Sequence, residues 1–200
     1  MEREVFLVVD KNVLFRGDLI ALLKNTSGSG IKVVVPRAVF EQIERSALKY
    51  QAKKDRGVED KDDRNGQISL AVYPVLLEMT KLPEDDARKW LVNGSSGSGL
   101  VHKIADKPVY QRVGRTDFGD VRIMATIFKL REHHPGARVI LFTLDQGLQK
   151  LACSRRIPVI CALRETDGVL KAQKVRWWWS GRRGRRQAEV IKETWPVNKI

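Results

Sequence analysis

The sequence predicts an α/β fold: a three-layer α/β/α sandwich with a central, mainly parallel sheet. Short apolar runs recur along the chain, and segments with helical spacing of apolar residues lie between them. Strands separated by helices need crossover connections, which make neighbouring strands parallel and place helices against the faces of the sheet.

The first part of the chain supplies two strands and two helices. Residues 4–10, EVFLVVD, are predicted to form a buried strand followed by an amphipathic helix. IKVVV is a second strand, which Pro36 ends, and a helix begins at Arg37. The side chains predicted to share the apolar face of this helix are Val39, Phe40, Ile43, Ala47 and Leu48.

The remaining elements follow the same alternation. A charged stretch, KKDRGVEDKDDRN, is expected to form an exposed turn or helical cap before an apolar helix near residues 66–81. Residues 117–131 have helical periodicity and end at HHPG. ARVILFT is then a strand, QGLQKLACSRR a helix and IPVICAL a further strand, which completes the α/β pattern.

The C-terminal part is strongly basic. The chain has a formal net charge of +13, and residues 168–188 hold seven basic residues and no acid. We therefore divide the chain into a domain of residues 1–167 and a basic, Trp/Arg-rich segment of residues 168–200. A polyanionic partner is expected, with phosphates at the basic side chains and bases stacked on tryptophans, although at least one of the three consecutive tryptophans is expected in the core. The side chains predicted to bind nucleic acid are Lys174, Arg176, Trp177, Trp179, Arg182, Arg183, Arg185 and Arg186.

Composition favours a soluble, cytoplasmic protein. No stretch approaches the roughly 18 consecutive apolar residues that a membrane span needs. The N-terminus places acids among its charges and runs directly into a strand, so no secretory signal is expected. Cys153 and Cys161 lack metal-ligand spacing, which favours packed, reduced thiols.

Four acidic residues follow or adjoin the apolar runs. Asp10 and Asp145 come after predicted strands, Glu41 lies in the first turns of the helix after the second strand, and Asp120 lies near the start of another helix. Ligand sites of parallel sheets form beyond the carboxyl ends of the strands, so the four side chains can face one crevice. Asp117 is an alternative to Asp120, although an N-cap role suits it better.

Clustered carboxylates predict a divalent-metal site. A hard divalent cation bound by carboxylates can neutralise the charge of a phosphodiester and activate water, so such a site suits phosphodiester cleavage. Asp10, Glu41, Asp120 and Asp145 are therefore candidate catalytic residues and metal ligands, and no separate general base is evident. Without metal, such a cluster is expected to repel itself and to raise some of its own pKa values.

Four motifs occur in the same order as in the PIN domain nucleases: VVDKNVL, VVVPRAVFEQI, DFGDVRIMAT, and VILFTLDQGLQKLA with IPVI behind it. Over most of residues 4–163 the chain therefore resembles this family. The resemblance implies an acidic pocket that binds Mg²⁺ or Mn²⁺ and cleaves single-stranded RNA or, less often, DNA. Asn12 and Thr143 match polar positions beside the acids of the family, where they would orient a ligand or the attacking water; local turn hydrogen bonding explains them equally well. Many relatives carry a further acid where Gln146 and Gly147 stand here, so one metal ion is expected rather than two.

Four functions stay open from the sequence. The first is a metal-dependent endoribonuclease that prefers RNA to DNA, and the second a catalytically inactive module that only binds nucleic acid. The third is a toxin ribonuclease regulated by a protein antitoxin, although this chain is longer than a compact toxin. The fourth is a structure-specific DNA nuclease in which residues 49–64 arch over a threaded strand. A homo-oligomer is compatible with each of them.

Overall fold

The computed structural model describes residues 4–16, 31–58, 62–81, 118–166, 169–180 and 187–196. Six strands lie in these ranges: β1 Val5–Val9, β2 Ile31–Val34, β3 Arg138–Phe142, β4 Val159–Thr166, β5 Val169–Ser180 and β6 Gln187–Pro196. The same ranges contain five helices: α1 Lys11–Phe15, α2 Arg37–Asp55, α3 Arg64–Thr80, α4 Phe118–His133 and α5 Gln146–Ser154.

The strands form one sheet in the order β2-β1-β3-β4-β5-β6. β1 runs parallel to β2 and β3, and β3 runs parallel to β4. β5 pairs antiparallel with β4, and β6 antiparallel with β5. The predicted α/β class with a mainly parallel sheet is therefore confirmed.

Both faces of the central strands are buried. Phe6, Leu7, Val8 and Val9 are at most 4% exposed, and the same burial extends along β3 from Val139 to Phe142. Because successive side chains of a strand point to opposite faces, the sheet is covered on both sides, as the middle layer of a sandwich must be. α4 packs against β1 and β3, whereas α5 packs against β4 and β5.

One predicted core position on α2 is wrong. Val39, Ile43 and Ala47 are buried and Phe40 is partly buried, but Leu48 is 57% exposed. Residues of an α-helix are about 100° apart around its axis, so Leu48 lies about half a turn from Val39 and outside the buried stripe. Neighbouring apolar residues in the sequence therefore do not all share the buried face.

The basic C-terminal segment contributes to the same sheet. β4 and β5 pair from Val159 opposite Val175 to Thr166 opposite Val169, across the domain boundary expected after residue 167. Ala172 and Val175 of β5 are buried in the hydrophobic core. β5 therefore packs as part of the folded sheet.

Some of the predicted site residues lie outside the described residues: Asp117, Arg182, Arg183, Arg185 and Arg186. For Trp179 the structure describes the backbone, opposite Ala188 of β6. Among the described helices, none combines the length and apolar character needed to cross a membrane.

Candidate active site

Asp10 lies where β1 ends and α1 begins. Its backbone N–H donates to the carbonyl oxygen of Phe142 over 3.1 Å, which continues the pairing of β1 with β3. Its carboxylate accepts a hydrogen bond from the backbone N–H of Lys11 at 2.6 Å, and its side chain caps α1. Asp10 is only 7% exposed, so the end of the strand fixes a buried carboxylate in place.

Thr143 connects Asp10 to Asp145. The fully buried Thr143 hydroxyl donates to Oδ2 of Asp10 over 2.9 Å and accepts the backbone N–H of Asp145 over 3.1 Å. Asp145 is exposed and caps α5, where its Oδ1 accepts the backbone N–H of Leu148 at 3.0 Å. The two aspartates that follow β1 and β3 are therefore joined through one hydroxyl group.

The surroundings of Asp10 make its ionised form less favourable than in water and so raise its pKa. Burial raises the pKa of Asp10 above its ordinary value, and the negative charge of Asp145 raises it further. The hydrogen bonds from Thr143 and Lys11 oppose this rise. Repulsion by a neighbouring acid therefore contributes to the rise at Asp10, but burial is the larger cause.

Glu41 pairs with two arginines. Nε of Arg37, one helical turn earlier on α2, donates to Oε1 at 2.8 Å, and Nη1 of Arg122 on α4 donates to Oε2 at 2.6 Å. The hydrogen bond from Arg122 is the largest cause that lowers the pKa of Glu41. The spacing of four residues predicts the first pair, whereas 81 residues separate Glu41 from Arg122, so no local signal reveals the second.

Among the described residues, the predicted acidic site also includes Asp120 and Asn12. Asp120 lies in the first turn of α4 and is half-buried. Asn12 is exposed, with its amide nitrogen 3.4 Å from Oδ2 of Asp10. In the described ranges, no group of three or more Asp, Glu, His or Cys side chains is arranged to hold a metal ion.

The donor chemistry of Asp10 and Asp145 suits a divalent cation. Carboxylate oxygens are the hard ligands that Mg²⁺ and Mn²⁺ prefer, and a carboxylate oxygen with one hydrogen bond keeps further acceptor capacity. A cation would also offset the burial and the like charge that disfavour ionised Asp10. The charge of Glu41 is instead already compensated by Arg37 and Arg122.

Trp177 of the basic segment packs against α5. Its indole N–H donates to Oε1 of Gln149 over 3.3 Å, and the ammonium of Lys150 lies 4.5 Å from the centre of its ring. The side chain is partly buried and packs against the core. Arg176 is exposed, and Lys174 lies opposite Glu193 in the ladder between β5 and β6. Sequence reasoning missed Gln149, because a glutamine within an amphipathic helix carries no special signal.

Comparison with known proteins gives a match to a family model and matches to solved structures. A family model described as a PIN domain matches residues 7–162, which ends before β5 and β6. A solved domain of a functionally unknown protein from Methanocaldococcus jannaschii DSM 2661 is 17% identical, with a TM-score of 0.45 over 81% of this chain and 96% of that one. Among curated proteins, none matches the chain.

Proposed function

Since the chain belongs to the PIN domain family, we propose that it is a metal-dependent endoribonuclease that cleaves single-stranded RNA. PIN domains are generally nucleases that bind nucleic acids and use divalent metals. The observation that carries the proposal is the junction at Thr143, where the buried carboxylate of Asp10 is linked to Asp145.

In this proposal, Asp10 and Asp145 hold one Mg²⁺ or Mn²⁺ ion, together with Asp120 or Asp117. When bound, such an ion withdraws charge from the phosphodiester and makes a water molecule a better nucleophile. The Thr143 hydroxyl donates to Oδ2 of Asp10 and so favours its ionised form, which is the form that would bind the cation. The exposed Asn12 helps to orient Asp10, because its amide nitrogen lies 3.4 Å from Oδ2 of that residue.

Glu41 is the remaining acid of the proposed site. Each of its oxygens accepts one arginine N–H and keeps a further lone pair, so two roles are compatible with the contacts. It either contributes an oxygen to the cation or holds Arg37 and Arg122 where the phosphate would bind. Guanidinium groups suit phosphate oxygens because they present several N–H donors in one plane.

The basic segment would hold the RNA strand. Arg176 is exposed on β5, and Arg182, Arg183, Arg185 and Arg186 lie in the sequence between β5 and β6. Trp179 would offer a face for base stacking, which contributes roughly 1–3 kcal/mol per base. Trp177 has less ring area for this purpose, since it packs against α5.

Cleavage by the wild-type chain and two variants tests the proposal. Labelled single-stranded RNA, single-stranded DNA and duplexes are incubated with Mg²⁺, Mn²⁺ or chelator. We expect metal-dependent cutting of single-stranded RNA, and its loss, by about a hundredfold or more, in Asp10→Asn and Asp145→Asn, because removal of one charged oxygen weakens the hold on the cation. RNA binding by both variants should persist.

Asp55→Asn is the matched control, because Asp55 is exposed on α2 and its carboxylate accepts a bond from Gln51. This variant should cut like the wild type. Unchanged turnover in Asp10→Asn and Asp145→Asn would exclude the proposed site. Tight RNA binding without cutting at any Mg²⁺ or Mn²⁺ concentration would instead support an inactive binding module, and preferential cutting of structured DNA a DNA nuclease.

A further inference from the structure

Three hydrogen bonds run from β5 to Asp10. The indole N–H of Trp177 donates to Oε1 of Gln149 at 3.3 Å. Nε2 of Gln149 donates to the backbone oxygen of Thr143 at 2.9 Å. The Thr143 hydroxyl donates to Oδ2 of Asp10 at 2.9 Å. A side chain of the C-terminal hairpin, which β5 and β6 form, is thereby connected to the buried carboxylate of the candidate site.

Gln149 is held at both ends of its amide. Gln149 is only 5% exposed. Loss of one hydrogen-bond partner from a buried amide destabilises the fold by about 1–3 kcal/mol, so the orientation of this amide is strongly constrained. Trp177 accounts for its oxygen and Thr143 for its nitrogen. Replacing the indole N–H would therefore leave the Gln149 oxygen unpaired and release its orientation.

Thr143 has every polar group bonded. Its backbone N–H donates to Ile160 of β4 at 3.2 Å, and its backbone oxygen accepts from Gln149. Its hydroxyl bridges Asp10 and the backbone N–H of Asp145. The position of this hydroxyl consequently depends on β4 from one side and on Gln149 from the other.

The hairpin and α5 make two further contacts. Lys150 lies over the ring of Trp177, and the thiol of Cys153 lies 3.7 Å from the backbone oxygen of Val175. β5 and β6 follow the part of the chain that matches the family model. The hairpin is thus an addition to the matched region that contacts the helix beginning beside Asp145.

We propose that Gln149 and Trp177 are positioning residues for the pair Asp10 and Asp145, so that the C-terminal hairpin sets the geometry of the site. The indole N–H fixes the Gln149 amide, and the amide fixes the Thr143 backbone. The Thr143 hydroxyl in turn fixes the carboxylate of Asp10 and the backbone N–H of Asp145. The catalytic part of this inference rests on the proposed function. Its structural part, the coupling of β5 to Asp10, does not.

Two conservative variants test the proposal. Trp177→Phe keeps an aromatic ring but removes the N–H, and Gln149→Met keeps length and volume but removes both hydrogen bonds. For each we would measure kcat and KM on single-stranded RNA, the Mn²⁺ dissociation constant of the metal-free protein, and the NMR shift of the Lys11 amide. That amide donates to Asp10, which is the end of the hydrogen-bond path farthest from Trp177.

We expect kcat and Mn²⁺ affinity to fall about fivefold in Trp177→Phe and about tenfold or more in Gln149→Met, with KM for RNA changed less than twofold. The Lys11 amide resonance should move in both variants. Because the two residues act through one path, the double variant should resemble Gln149→Met alone rather than the product of the single effects.

Gln51→Met is the matched control, since Gln51 makes its side-chain hydrogen bond within α2, to Asp55. Thermal unfolding of each variant separates a loss of fold from a loss of geometry. Folded variants with wild-type Mn²⁺ affinity and an unmoved Lys11 resonance would overturn the proposal, as would independent effects in the double variant. If the wild type cuts no RNA, the proposed function fails, yet the NMR shift and its double-variant comparison still decide the coupling.

Discussion

Asp10 is placed where an ionised carboxylate is unfavourable. It is 7% exposed, and both burial and the charge of Asp145 raise its pKa, while the hydrogen bonds from Thr143 and Lys11 offset only part of this effect. Carboxylates whose pKa is raised by burial and like charge are concentrated at functional sites, where this electrostatic cost in the free protein is retained for binding or chemistry. The stability of the metal-free protein should therefore improve when this charge is removed.

We expect Asp10→Asn to raise the free energy of unfolding of the metal-free protein at neutral pH. The folded pKa of Asp10 lies above its ordinary value of 3.8. Its contribution to stability is thus complete below that value and is lost as pH rises through the folded pKa, by about 1.4 kcal/mol for each unit of elevation. Urea unfolding in chelator between pH 3 and pH 8, at roughly one-unit steps, measures the difference.

The stabilisation of Asp10→Asn over the wild type should grow with pH and then level off. Asp55→Asn provides the comparison, since Asp55 is exposed. A difference that stays constant over the whole pH range, or a variant less stable than the wild type at neutral pH, would contradict the assignment of Asp10 as a destabilised carboxylate.

How far the sequence predicts the site differs from residue to residue. Asp10 and Asp145 are predictable because each comes at the end of an apolar run of the sequence, and parallel neighbours end at one edge. The arginines around Glu41 are not, because Arg122 is 81 residues away and its pairing depends on how α4 packs against α2. The burial of Asp10 likewise arises from tertiary packing that a strand-end position does not specify.

At the level of elements, one ion pair ties α2 to α4. Arg122 and Glu41 have side chains that are only 16% and 29% exposed, so water screens their interaction less than that of a surface pair. We expect Arg122→Met to lower the free energy of unfolding at neutral pH by about 1.5 kcal/mol, the lower end of the range for hydrogen bonds to charged groups, because both side chains keep some exposure. Urea unfolding gives this value directly.

The pH dependence of Arg122→Met follows from the lowered pKa of Glu41. A depressed carboxyl pKa contributes stability above the ordinary value of 4.5, and this contribution is lost as pH falls through the folded pKa. The variant and the wild type should therefore converge in acid. Arg45→Met, an exposed change on α2, is the control, and an equal loss at acid and neutral pH would argue against the ion pair as the cause.

Mn²⁺ titration of Glu41→Gln separates the two roles proposed for Glu41. A weakened Mn²⁺ affinity indicates that Glu41 contributes an oxygen to the cation. Slower RNA cleavage with wild-type Mn²⁺ affinity indicates that it acts by holding Arg37 and Arg122. If a folded Glu41→Gln variant has both wild-type Mn²⁺ affinity and wild-type cleavage, Glu41 is not part of the site.

The sequence predicts the parallel strands better than the hairpin. β1, β2, β3 and β4 contain apolar runs, which are typical of strands covered on both faces. In β5 the buried residues Ala172 and Val175 are three positions apart and hence on opposite faces, among basic and polar neighbours. Neither an apolar run nor strict alternation marks this strand, so the sequence indicates the basic charge of the segment more clearly than its place in the sheet.

For the whole molecule, the acid pair and the basic hairpin are parts of one sheet. Asp145 follows β3, and only β4 separates that strand from β5. The net charge of +13 opposes the local negative charge of Asp10 and Asp145, so a polyanion can be attracted overall while the site itself retains acids for a cation. RNA affinity should accordingly depend on the hairpin more than on the acids.

Salt dependence of RNA binding tests that division. Each phosphate neutralised on a single strand contributes about −0.7 to the slope of log affinity against log salt concentration. We expect the double variant Lys174→Gln/Arg176→Gln to bind single-stranded RNA more weakly and to have a slope shallower by about 0.7–1.4, measured by fluorescence anisotropy in chelator. Lys49→Gln/Lys54→Gln removes the same charge from exposed positions on α2 and should leave the slope unchanged. If the α2 pair instead reduces the slope and the β5 pair does not, the strand is held by the charged residues 49–64, as a threading DNA nuclease would require. The hairpin then has no direct part in binding.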